Sequence, residues 1–162
     1  MSNIRKCTAR GCNHEINLNK DTYYENTRTN LCDERPKYTN KYYYCKDCND
    51  KNMEHYIVKG GADCILDHTT LVVNGKRYSG LDIKKKVWET VAFILKNTKD
   101  KATKENTDLE ELKIIVTKFL TELTDDNKEL HNLILDITVV ILTKIMKCLE
   151  LEEQNKEVSC SA

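Results

Sequence analysis

The sequence predicts an α+β protein: a small, cysteine-rich N-terminal region with β-hairpins, followed by a C-terminal three-helix bundle. Three observations carry this reading. Six of the eight cysteines fall within the first 64 residues, where aliphatic side chains are sparse and turn formers abundant. Two short β-prone runs, Thr69–Val73 and Lys76–Ser79, flank Asn74-Gly75, the strongest short-range hairpin signal. From residue 80 onward the apolar residues recur at spacings of three and four, the period of a helix. The chain therefore divides into a region 1–60, a hairpin connector 61–80, a helical bundle 81–157 and a tail 158–162.

Each element has its own signal. In the first region the β-prone Tyr23-Tyr24 and Tyr42-Tyr43-Tyr44 predict strands, and Asn49–Ile57 predicts a short helix. Gly60-Gly61 marks a break. A helix over 81–97 places Leu81, Val87, Trp88, Val91, Ile94 and Leu95 on one face, and the polar stretch 97–106 reads as a linker. Thr107 with Glu110 forms a capping box, opening a helix with Leu109, Leu112, Ile115, Val116, Phe119, Leu120 and Leu123 as its apolar positions. Asp126 with Glu129 predicts a similar start for a third helix reaching about residue 153. Its stripe is Leu130, Ile134, Ile137, Ile141, Ile145 and Cys148.

Bulk composition limits the function classes. A chain of 162 residues suits one domain, or a small domain fused to a helical one. It carries 26 basic and 26 acidic residues, and the halves differ only from net +3 (1–80) to net −3 (81–162). A dedicated nucleic-acid binder is usually far more basic. Residues 1–7 are polar where a secretory leader needs an apolar run, which predicts an intracellular (cytoplasmic or nuclear) protein. The longest apolar stretch, Leu133–Leu142, is interrupted by Asp136 and reaches about half the length of a membrane span. The abundance of Asn, Lys and Tyr and the single proline match AT-rich coding, as in many viruses and some protists.

Eight cysteines in such a chain point to metal rather than disulfides. The first 60 residues cannot build a large core, and a small region of that kind needs a staple. Cys45-Lys-Asp-Cys48 has the two-residue spacing that supplies two zinc ligands from one turn. Cys7-Thr-Ala-Arg-Gly-Cys12 is a wider pair, whose Gly11 lets the backbone curl so that both thiolates face one ion. The expected ligands are Cys7, Cys12, Cys45 and Cys48, around one Zn2+. The competing readings are buried free thiols at accidental spacing and a disulfide framework of a secreted or virion-surface protein. An iron–sulfur cluster would use the same thiolates, but no ferredoxin-like run of cysteines is present.

Knuckle, β-hairpin, then a second knuckle opening a helix: over roughly residues 5–58 this order resembles the treble-clef zinc-finger class. The resemblance implies that the helix N-terminus stabilises the Cys48 thiolate. His14, Cys32, Cys64 and His68 form a second candidate set. Interleaved with the first set, it would give a distantly RING-like cross-brace, and with it a ubiquitin-ligase adaptor role. The sequence departs from that pattern in the wide first pair and in lacking a Cys or His close after Cys32. Otherwise Cys32 and Cys64 pack as small hydrophobes, with His14 and His68 at the surface.

No phosphate loop, dinucleotide fingerprint, nucleophile elbow or His-Glu-x-x-His motif is present. Cys64 and His68 lack the glutamate and downstream Pro-Cys-x-x-Cys of the zinc deaminases. A closed four-cysteine site is structural. The expectation is thus a non-enzymatic interaction or assembly module with a protein partner or a second copy, no membrane and no small-molecule substrate. The third helix is apolar nearly all round, and Leu133, Val140 and Leu142 extend its stripe into a candidate interface. The alternative is a nucleic-acid-binding zinc-finger protein. There Arg35, Lys37, Tyr38, Lys41, Tyr42 and Lys46 interleave cations for phosphates with aromatics for bases. The plainer account of that segment is tyrosines covering the metal site and lysines facing water.

Overall fold

The structure, a computed structural model, describes residues 2–29, 39–60, 63–101 and 109–160. It is mixed α+β, with two antiparallel sheets and five helices among the described residues. The chain splits into two compact units, Met1–Lys85 and Lys86–Ala162.

In the first unit, β1 (Ile4–Lys6) and β2 (Glu15–Asn17) form a two-stranded ribbon. β3 (Tyr23–Thr29), β4 (Thr39–Cys45), β5 (Thr69–Val73) and β6 (Lys76–Ser79) form a four-stranded sheet in the order β4-β3-β5-β6. Every pairing in it is antiparallel. The expected hairpin is present. Asn74 and Gly75 take φ of 50° and 79°, the left-handed pair that lets a two-residue turn match the twist of its strands. This hairpin is continuous with the N-terminal sheet, because β5 pairs with β3 from Tyr23↔Val72 to Asn26↔Thr69.

Strand alternation gives this sheet two different faces. Tyr24, fully buried, donates a hydrogen bond from its hydroxyl to Asp50 Oδ1 at 2.6 Å. That bond puts helix α1 (Lys46–Val58) on the Tyr24 face. A short helix α2 (Asp63–Asp67) packs against β5. The opposite face carries Tyr23, with Cys45 and Val72 as its cross-strand neighbours. There Tyr23, Val72, Ile16 and Cys7 form a buried cluster.

Helix α3 (Gly80–Lys101) follows directly from β6. A Cβ at Gly80 would meet the Leu66 carbonyl oxygen at 2.5 Å. Only glycine permits that approach. The helix runs through residues 97–101, assigned above to a linker, because the sequence there holds no proline or glycine to stop it. Its buried positions are Ile83, Val87, Thr90 and Val91. Leu81, Trp88 and Leu95, expected on the buried face, stay exposed at 39–44%, because they lie at the rim of that stripe.

In the second unit, α4 (Leu109–Leu123) and α5 (Lys128–Cys160) follow. Phe93 of α3 and Phe119 of α4 stack with ring centroids 4.1 Å apart. Leu120, Leu130, Leu133, Ile134, Ile137 and Ile141 are buried, each worth roughly 1.5–3 kcal/mol relative to exposure. The proposed capping box at Thr107 lies outside the described residues. The cap of α5 is Asn127, whose Oδ1 accepts the Leu130 N–H at 3.2 Å. Asp126, expected to open the helix, instead sits in the left-handed region with φ 60°. That turn places the cap one residue later. Among the described residues, no helix is long and apolar enough to cross a membrane.

Candidate metal centre

The site is built from two backbone turns brought together by the sheet. After β1 the chain turns at Ala9–Cys12, where the Cys12 N–H donates to the Ala9 carbonyl at 3.0 Å. Gly11 has φ 82°, as the third position of such a turn requires. The Cys7 N–H donates to the His14 carbonyl at 2.9 Å, and the Thr8 N–H to the Tyr43 carbonyl at 2.8 Å. The second bond fixes this knuckle to β4. Cys45 ends β4 and is the N-cap of α1, which places Cys48 in the first turn of that helix.

The four sulfurs converge. The Sγ atoms of Cys7, Cys12, Cys45 and Cys48 all lie within 4.8 Å of one another. Cys12 Sγ and Cys45 Sγ are 3.8 Å apart, far beyond the roughly 2.05 Å of a disulfide. All four are free thiols. Cys7 and Cys45 are buried, Cys12 and Cys48 half-buried. The Cys45 backbone N–H donates to Cys7 Sγ at 3.3 Å.

Electrostatics show what such crowding requires. A hydrogen bond from the His14 backbone leads the influences that lower the pKa of Cys12. Burial raises that of Cys45, against a backbone hydrogen bond from Cys48. Cys48 is pushed far above the ordinary thiol range by its sulfur neighbours Cys45 and Cys12, and then by burial. The Cys48 backbone hydrogen bond serves Cys45. Four thiolates at this spacing need a cation, and an all-sulfur set suits a soft divalent metal.

The tyrosines flank the centre. Tyr23 and Tyr43, with ring centroids 6.0 Å apart, pack against the cysteine cluster. Lys41 pairs with the buried carboxylate of Glu25 at 3.7 Å, and Lys46 with Asp50 at 2.5 Å. Tyr42 lies beneath the Arg28 guanidinium, 5.1 Å from ring centroid to carbon. Arg35, Lys37 and Tyr38 lie outside the described residues. Glu25 was not legible as a special residue, yet it is 5% exposed and also accepts from Arg77 at 2.7 Å.

The second candidate set is not assembled among the described residues. Cys32 lies outside them, and His14, Cys64 and His68 form no converging group of three. His14 stands beside the first knuckle. Cys64 and His68 are exposed and line a cleft of about 530 Å³ with Tyr44, Tyr56 and Asn26. Of the interface candidates, Leu133 is 5% exposed and belongs to the buried face, since it sits three residues from Leu130 and beside Ile134. Val140 and Leu142 are half-buried. Comparison of the chain with protein-family models, curated proteins and solved structures gives no match.

Proposed function

We propose that the N-terminal unit is a treble-clef-like module folded around one structural Zn2+, and that the protein is a non-enzymatic interaction or assembly module. The observation that carries the metal reading is the Cys12–Cys45 sulfur separation of 3.8 Å. A tetrahedron with zinc–sulfur bonds of about 2.3 Å has sulfur–sulfur edges of about 3.8 Å. Element order supports the treble-clef reading: a knuckle between β1 and β2, the β3–β4 hairpin, then a second cysteine pair at the start of α1. Four thiolates close the coordination shell and leave no position for a substrate, which supports a structural role. The helical part, read as a three-helix bundle, supplies the interaction surface.

Nucleic-acid binding is the second reading, favoured by the Arg28–Tyr42 pair beside the knuckle. It is weakened by the acidic partners of Lys41 and Lys46. Quenching of tyrosine fluorescence by oligonucleotides, strong at low salt and lost at high salt, would favour it. The metal reading is tested by near-ultraviolet circular dichroism, since Tyr23 and Tyr43 pack against the cysteines. Chelation, or Cys45→Ser, should abolish the tyrosine signal of the native protein. A spectrum unchanged by both would contradict the proposal.

A further inference from the structure

Helix α5 has a second apolar stripe that is only partly covered. The buried face is Leu130, Ile134, Ile137 and Ile141. Turned away from it run Asn132, Leu135, Val139, Leu142, Met146 and Leu149, spaced alternately by three and four residues. Val139, Met146 and Leu149 are 52%, 62% and 54% exposed. Leu135 and Leu142 are half-buried and Asn132 is exposed. A strict three-four alternation is the mark of a coiled-coil seam, narrower than the face a helix turns to a globular core.

We infer that this seam pairs with the same seam of a second copy, in parallel and in register. The composition of the stripe selects that occupant. With Leu135, Leu142 and Leu149 at the d positions between residues 132 and 149, and the β-branched Val139 at an a position followed by Met146 at the next, the pattern is that of two parallel strands. Asn132 falls at another a position. In parallel register it meets its own counterpart and can exchange amide hydrogen bonds. In an antiparallel pair it would face a leucine or lysine layer. The seam ends at Glu153, which would face its own copy, so the helices part there.

Residues 132–149 span about 27 Å of helix at 1.5 Å per residue. An isolated peptide of that length forms a marginal helix. Here the helix is already ordered by its buried face, so association orders little more than side chains. The inference rests on the assembly reading of the helical part and is independent of the metal centre.

The test uses the full chain, supplemented with zinc, in light scattering after size exclusion. The wild type should show twice the 18.8 kDa chain mass at high micromolar concentration and fall towards one chain on dilution. Val139→Glu with Met146→Glu should give a single-chain mass with helical circular dichroism retained. Separately, Leu149→Cys in a Cys148→Ser background should cross-link through residue 149 on mild oxidation, as peptide mapping would show. A wild type that stays single at high concentration overturns the inference. So does a dimer that survives both glutamates, or one that yields no 149–149 cross-link. The cross-link decides alone if the glutamate variant loses its helices. A metal-loaded monomer sinks the seam and leaves the zinc reading standing; a metal-free dimer does the reverse.

Discussion

At the scale of single residues, Cys45 does several jobs at once. It closes β4, caps α1, donates its N–H to Cys7 Sγ and presents its own sulfur to the cluster. Its place in the cluster was legible because the Cys45-x-x-Cys48 spacing supplies two metal ligands from one turn. Glu25 was not legible, since its partners Lys41 and Arg77 become neighbours only when strands far apart in sequence pair. The thiols also set the pH response. With metal bound, protons compete for the four thiolates, so stability is held at neutral and alkaline pH and lost on acidification. Melts of the zinc-loaded protein should therefore move to lower temperature as pH falls below neutrality, while protein with chelator should lack the tyrosine-reported transition at every pH. A zinc-loaded protein whose melt ignores acidification would contradict this.

At the scale of elements, local signals decided most of what was predictable. Asn74-Gly75 specified its turn through two left-handed residues in succession. The cysteine knuckles, the tyrosine strands and the three long helices were legible for the same reason. Three features needed the fold. The strands β1 and β2 are only three residues each, too short to carry a period. The ends of α3 and α5 run beyond the apolar pattern, where polar residues extend a helix already formed. The approach of Gly80 to Leu66 depends on how α2 meets the start of α3. Gly80→Ala should lower stability by about 1–3 kcal/mol, the usual cost of overpacking. A denaturant melt with an unshifted midpoint would show that α2 moves aside freely.

At the scale of the whole molecule, the sequence divides by chemistry: cysteines and turns first, helical periodicity afterwards. The compact units divide at residues 85 and 86, inside α3, because the β5–β6 hairpin belongs to the N-terminal sheet. A fragment beginning at Ser79 keeps all three long helices and the Leu120, Ile134 and Ile137 core positions. It should give strong helical circular dichroism indifferent to chelator; a random-coil spectrum would show that the helices depend on the metal-bearing unit. The central claim, that four cysteines hold one ion, meets its most direct test in the metal content of the purified full chain. Mass spectrometry under native conditions should find one zinc per wild-type chain and none after Cys45→Ser. A wild-type protein that is free of metal yet melts cooperatively would contradict the account.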